Sequence, residues 1–382
     1  MTKTHELAPR SLPLKLCIMG AASSPHVLAR ARVFDQLGHS VHLISPTSGP
    51  ADNSLKVSYT SFGRGVVGKV KSLLTTYWIL VRSDADLFHA HYAAEYGTWI
   101  VALMRKCPFV VTVMGGDVLF DEQGTQGHLG RWLTGFSLRR ADLVTAKSHS
   151  LANRLMEMGV SKEKIKIVYW GVEPEIFSFS EEGRSKVREE WGVEEGQKVL
   201  YCPRMLQSLY NQHLLVEALP AILKEHSQTV LVLSTMGENE VYGQKVRGRV
   251  QELKLQSRVR FVSGVPREQM AGVYSAADLI IAIPSSDGMP QSTLESMACG
   301  RPVLMSNLER YKELFKHGES AWFCDLDAEK ITDAVCHLLQ DQEGTADMAK
   351  AGHETVWSCA NFNNEARRVE EFYHKLVERK AE

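Results

Sequence analysis

Two successive series of short apolar, β-branched runs constrain this chain more than any other feature. Leu14–Met19, Val41–Ser45, Leu87–Ala90, Val110–Val113, Leu143–Ala146 and Ile165–Tyr169 make the first series. Lys198–Tyr201, Thr229–Ser234, Val259–Val262, Leu279–Ile283, Pro302–Met305 and Ala321–Cys324 make the second. Amphipathic stretches separate the runs, and strands alternating with helices build parallel, doubly wound sheets. Gly20 turns the first strand toward a helix from about His26 to Leu37, which Gly38 ends. The charged segment Ser178–Gln197, holding Gly183, Gly192 and Gly196, reads as the crossing between two domains. The predicted division is 1–177, 178–197, 198–360 and a C-terminal helical segment 361–382.

A chain of 382 residues, 44% apolar and 23% charged, is long enough for two such cores. It has no low-complexity tract, and no apolar run approaches the roughly 18–20 residues that span a bilayer. Met1–Pro13 lacks the basic-then-apolar order of a secretory signal, which predicts a cytoplasmic protein. The seven cysteines are scattered and never form a C-x-x-C pair, which excludes a disulfide scaffold and fits reduced thiols. Residues 1–175 carry 20 Lys+Arg against 14 Asp+Glu, a net of +6, and the remainder 24 against 31, a net of −7. The halves therefore suit different partners. Basic clusters lack the interleaved signatures of nucleic-acid binding, so DNA and RNA are not expected partners.

The run from Pro284 to Val303 carries the most chemistry. The strand Leu279–Ile283 empties into a polar loop, which opens a helix through Ser292, Thr293 and Glu295. Hydroxyls and unpaired amides at a helix N-terminus favour an anion such as a diphosphate. Asp287 in the loop and Glu295 eight residues later are carboxylates suited to sugar hydroxyls. Phosphate and sugar recognition together point to a nucleotide-sugar.

This run resembles the signature of family-4 glycosyltransferases of the GT-B fold: two acidic residues separated by seven, then Ala-Cys-Gly-x-Pro-Val. Ala141-Asp-Leu-Val-Thr145, the stretch Lys164–Phe177 ending Trp-Gly-Val-Glu-Pro-Glu-Ile-Phe, and Tyr274-Ser-Ala-Ala-Asp278 extend the resemblance over nearly the whole chain. It implies two Rossmann-like domains facing across a cleft, the first on the acceptor side and the second binding the nucleotide-sugar. It also implies a last helix, Glu365–Arg379, that returns to the first domain.

The implied reaction is retaining transfer of a hexose-type sugar from a nucleoside diphosphate, UDP or GDP, to a glycan or lipid-linked acceptor in polysaccharide biosynthesis. Arg204 would grip the diphosphate, Glu295 the ribose and Asp287 the transferred sugar, helped by the amides of Gly288 and Met289. Ser292 and Thr293 would hold phosphate oxygens. No cofactor is implied, and no acidic cluster of the Asp-x-Asp kind is placed to hold a metal at the diphosphate, which implies a metal-independent enzyme. Two departures stand out. The family's Lys after the Arg is missing, with Leu209, Tyr210 and Asn211 there instead, so Tyr210 and Asn211 are the remaining donors. The family's His after the Val110–Val113 strand is Met114, which leaves Asp117 as the acceptor-side base or sugar ligand.

In the first domain Gly20 and the small residues after it let backbone approach phosphate, and His26 either meets the acceptor or caps its helix. His89 and His91 share one face of a strand and line either core or cleft, His91 on the acceptor side. The stretch Arg64–Arg82 is either a basic amphipathic face for an anionic membrane or a helix whose apolar side is core. The first of these would make the protein peripheral at the inner membrane face. Two competing functions remain: a non-catalytic GT-B subunit that binds glycan or scaffolds a partner, and a nucleotide-sugar epimerase.

Overall fold

A computed structural model describes residues 12–49, 54–63, 65–104, 106–120, 127–289 and 291–381. Met1–Ser11, Arg64 and Pro290, which the sequence reading touches, lie outside the described residues. The chain divides into two compact units, one of residues 1–170 with 363–382 and one of residues 171–362.

In the first unit the described residues form a parallel sheet ordered β3-β2-β1-β4-β5-β6-β7. Its strands are β1 Lys15–Met19, β2 Ser40–Ser45, β3 Lys56–Tyr59, β4 Leu87–His91, β5 Phe109–Thr112, β6 Leu143–Ala146 and β7 Ile165–Ile167. Helices α1 Pro25–Gln36, α2 Val66–Arg82, α3 Tyr96–Met104, α4 His128–Arg140 and α5 His149–Glu157 connect them. The central strands are near-continuous apolar runs because both faces are covered; Phe88, Val110, Val111 and Val144 are fully buried. The edge strand β3, half-exposed and reading Lys-Val-Ser-Tyr, has no counterpart among the predicted strands.

The second unit opens with α6 Glu181–Glu190, inside the segment expected to be a crossing. Its side chains Arg184 and Arg188 each pair with Asp278, at 2.9 and 3.1 Å, so this segment belongs to the unit's packing. The parallel sheet runs β10-β9-β8-β11-β12-β13. The strands are β8 Lys198–Cys202, β9 Thr229–Ser234, β10 Val259–Val262, β11 Leu279–Ala282, β12 Val303–Ser306 and β13 Trp322–Cys324. The helices are α7 Gln212–Glu225, α8 Glu240–Glu252, α9 Met270–Ala276, α10 Gln291–Ala298, α11 Ala328–Gln340 and α12 Gln342–Cys359.

The Ala-Cys-Gly-Arg-Pro tail has a plain structural cause. Gly300 takes φ +67°, its N–H bonds Met297 at 2.8 Å, and the Arg301 N–H reaches Ser296 at 3.0 Å. That is a Schellman ending, and only the residue without a Cβ adopts such a φ freely. It turns α10 directly into β12.

The last helix, α13 Phe362–Ala381, packs within the first unit from Asn363 onward. Glu370 meets His39 at 3.2 Å, and Tyr373 bonds His89. His39, Glu370 and His374 bring three potential metal donors together. The Leu14 N–H donates to His39 Nδ1 at 3.1 Å, which puts the neutral ring's proton on Nε2, donating to Glu370. This cluster is a hydrogen-bonded latch.

Candidate active site

In each sheet the first strand lies between two others, so the winding reverses beside it. Ligands of doubly wound sheets sit beyond the carboxyl ends of strands at that reversal. In the second unit the reversal lies between β8 and β11, and the residues that follow these strands meet there. Arg204, just past β8, pairs with Asp287, past β11, at 2.7 Å. Its other Nη donates to Ser292 Oγ, on the first turn of α10, at 3.3 Å. The guanidinium lies over the Tyr210 ring, 4.4 Å from its centre. Burial works against charge on Arg204, but Asp287, Tyr210 and Tyr311 together outweigh it, and the pKa moves up. This cation stays charged.

Asp287 is held on several sides. Its Oδ1 accepts from the Gly288 N–H at 2.7 Å, and Arg310 donates to its backbone carbonyl. The Gly288 amide, expected to face a ligand, thus turns to the neighbouring carboxylate. Ser292 joins the cluster, whereas Thr293 and Met289 are buried, Thr293 completely. Asn211 differs from expectation. It sits at φ +55°, and both amide hydrogens are engaged, by the Ile283 carbonyl and Ser285 Oγ, each at 2.9 Å. It ties the end of β11 to the loop after β8 and has no donor left for a diphosphate.

Glu295 centres a second network. Arg267 donates to Oε1 at 3.0 Å and the Tyr274 hydroxyl to Oε2 at 2.8 Å. Arg267 also grips Glu173 with two of its nitrogens and covers the Phe177 ring at 4.9 Å. Burial raises the Glu295 pKa, against the opposing pull of Arg267. A carboxylate has about four lone-pair sites, and these two donors leave about two of them on Glu295 unmatched. The sequence reading assigned no role to Arg267, Glu173 or Arg310. Glu173 lies in the Trp-Gly-Val-Glu stretch and Tyr274 in the Tyr-Ser-Ala-Ala-Asp stretch, local signals for this network beside Glu295 itself.

The first unit's reversal, between β1 and β4, is built differently. Gly20 follows β1, and a Cβ there would come within 2.9 Å of Val27, so glycine lets α1 close on the sheet. At the end of β4, the His89 and His91 rings lie 4.2 Å apart, centre to centre, against Trp170. Buried Arg30 donates to His91 Nδ1 at 3.2 Å and to Met114 Sδ at 3.4 Å, and covers Trp170 at 4.6 Å. An Arg donor on Nδ1 leaves the His91 proton on Nε2, which has no protein partner. His91, Gly20 and Thr76 line a cavity of about 20 Å³, room for one water. His26 is half-buried in the first turn of α1.

Asp117 does not stand where an acceptor would reach it. It is 0% exposed, and its carboxylate accepts the N–H groups of Ala93, Met114 and Gly115 at 2.7, 2.9 and 3.0 Å. Burial raises its pKa while those amides oppose the rise. This side chain organises the loop after β5.

These arrangements belong to a recognisable class. Residues 183–355 match the family Glycosyl transferases group 1, and residues 24–176 match Glycosyltransferase Family 4. The chain belongs to these glycosyltransferases. The N-acetyl-alpha-D-glucosaminyl L-malate synthase of Bacillus anthracis is 24% identical over 303 residues, covering 78% of this chain and 76% of its own. A D-inositol 3-phosphate glycosyltransferase of Corynebacterium jeikeium is 27% identical over 308 residues, covering 77% and 72%. Among solved structures, Anabaena Alr3699/HepE in complex with UDP and glucose superposes with a TM-score of 0.82 at 19% identity, over 95% of this chain and 100% of that one. That likeness carries the fold, GT-B with two Rossmann-like units.

Proposed function

We propose that this enzyme is a retaining, metal-independent hexosyltransferase that takes its sugar from a nucleoside diphosphate donor. The acceptor is a glycan or lipid-linked glycan in polysaccharide biosynthesis on the cytoplasmic side, reached with peripheral membrane contact. One observation carries the reading: a permanently charged guanidinium, a helix N-terminus and a sugar-suited carboxylate converge in Arg204, Ser292 and Asp287. Arg204 offers planar two-pronged contact to the diphosphate. Negative charge grows on that group as the glycosidic bond breaks, and preorganised charge there speeds the step. A donor arriving at Arg204 displaces Asp287, freeing its carboxylate for the sugar. Glu295 accepts from the ribose hydroxyls. With a cation and a helix dipole at the leaving group, a metal is not required.

The nucleotide bound to the Anabaena protein makes UDP the first donor to try. A thermal-shift screen against UDP, GDP, ADP and CMP tests the reading. A nucleotide at about a hundred times its dissociation constant stabilises by about 2.7 kcal/mol. One of the diphosphates is expected to shift the transition, and turnover is expected to survive EDTA. Absence of any shift sinks the donor assignment; turnover lost to EDTA and restored by magnesium sinks the metal-free mechanism.

A further inference from the structure

Helix α2 is packed inside out. The side chains it buries are Ser72, Thr76 and Leu80, four residues apart, and two of the three are hydroxyls. The opposite ridge, Val67, Val70, Leu74 and Trp78, follows helical spacing, and it faces solvent: Val67 is 83% exposed and Trp78 53%. An apolar stripe normally points at the core, so the reading of this stretch as a core-covering helix fails. The adjoining helices continue the pattern. α3 packs against both α2 and α4, and α4 exposes Leu129 and Trp132, the latter by 61%. Exposed apolar surface on this scale marks an interaction site.

The charge says which kind. Between Asp52 and Asp84 the sequence has no acidic residue but holds Lys56, Arg64, Lys69, Lys71 and Arg82. Helix α4 likewise has none, against Arg131, Arg139 and Arg140. Arg82 lies 5.3 Å over the Trp78 ring and Lys71 4.5 Å over Phe62, so cations border the apolar ridge. Among the described residues no helix is long and apolar enough to cross a membrane. We propose that the outer face of α2, continued by the start of α4, lies on an anionic lipid surface, with Leu74 and Trp78 entering the interface and the lysines and arginines meeting lipid phosphates. Trp and Tyr favour that depth, and a one-sided basic helix binds in the plane of the interface. This deepens the proposed function, on which it rests for the nature of the acceptor, by naming the surface that brings the enzyme to a lipid-linked one.

Flotation of the full chain with vesicles of phosphatidylglycerol and phosphatidylcholine, one to two, tests the proposal. The protein is expected to float with these vesicles, to leave them at high salt, and to ignore phosphatidylcholine alone. Val70→Glu/Leu74→Glu is expected to cut partitioning at least tenfold, and Lys69→Glu/Lys71→Glu to cut it severalfold. Both variants are expected to keep the wild-type nucleotide-induced thermal shift, which reports that they fold. Failure to float, or floating unchanged by the ridge variant, overturns the proposal while leaving the donor reading intact. Floating without any nucleotide shift defeats the donor reading and leaves the membrane face standing. A concentration-dependent dimer that buries Trp78 and is broken by the ridge variant makes a second copy the occupant, and the proposal falls.

Discussion

The two sheets reverse their winding in the same way, yet opposite chemistry fills the two reversals. Beyond β8 and β11 lie full charges in pairs: Arg204 with Asp287, and Arg267 with Glu173 and Glu295. Beyond β1 and β4 lie packed rings, His89, His91 and Trp170, beside the buried cations Arg30 and Lys147. A fold therefore places a site without deciding what the site does. The residues just past the strand ends decide it, and here the second unit's reversal carries the internal ion pair of Arg204 with Asp287.

The largest expected difference between the units is their response to acid. Burial, then Arg30, lowers the His89 pKa to about 3, and burial holds His91 well below its ordinary value. In the unfolded chain both titrate near 6.5. Below that pH the unfolded chain binds protons that the folded unit refuses, so stability present above pH 6.5 is lost as the pH falls. For His89 the slope is about 1.4 kcal/mol per pH unit, or about 2 kcal/mol by pH 5, and His91 acts in the same direction. Hydrogen exchange read by mass spectrometry, corrected for intrinsic rates, is expected to show first-unit peptides opening at pH 5 before second-unit ones. Equal pH dependence in both units breaks the contrast.

Arg204→Ala comes next. Turnover is expected to fall by about two to three orders of magnitude, the scale of one lost preorganised donor, with nucleotide-sugar affinity falling less. Arg204→Lys recovers part, since an ammonium lacks the planar fork. The Ala variant leaves Asp287 without its cation, so Arg204→Ala is compared in the wild-type and Asp287→Asn backgrounds, a cycle that separates lost catalysis from local repulsion. Steady-state kinetics showing near-normal turnover in the single variant would remove Arg204 from the reaction.

What the sequence made legible, and what it did not, follows the same physics. Strands such as Thr229–Ser234 announced themselves because burial on both faces demands an unbroken apolar run. Edge strand β3 has one wet side and four residues, too little pattern to register. Asp287, Ser292 and Arg204 could be expected to meet because motif and strand end coincide, and their side chains do come together. The ion pair of Arg267 with Glu173 joins positions far apart in the chain, and Arg267 lies in no motif stretch that would mark it. Asp117 and Asn211 carry suitable groups at suitable places, but neighbouring backbone consumes them, and spacing alone cannot report where a side chain turns. Helix α2 makes the point most sharply, since its periodicity defined two faces without saying which one is inside.

Glu295 tests whether the second network binds or merely braces. Glu295→Gln keeps the size and the Tyr274 contact but removes the charge facing Arg267. Nucleotide affinity is expected to fall by about 1.5–3 kcal/mol, the scale of a charged hydrogen bond. Calorimetry giving wild-type affinity would make Arg267, Glu173 and Glu295 a structural brace and nothing more.

The smallest effect on the reaction is expected at Asp117, where the reading from sequence and the structure part ways. A carboxylate acting as base on the acceptor would lose about two to four orders of magnitude in turnover as the amide. The structure instead commits both oxygens to three backbone N–H groups with no exposed atom. In Asp117→Asn one oxygen becomes an NH₂ that opposes an amide donor. The expected cost is therefore about 1–3 kcal/mol of stability, that of a buried donor left unsatisfied. Turnover measured well below the melting transition is expected to change less than tenfold, with no shift in its pH profile. A hundredfold loss with unchanged stability would return Asp117 to the chemistry and give the first unit's reversal a carboxylate that acts.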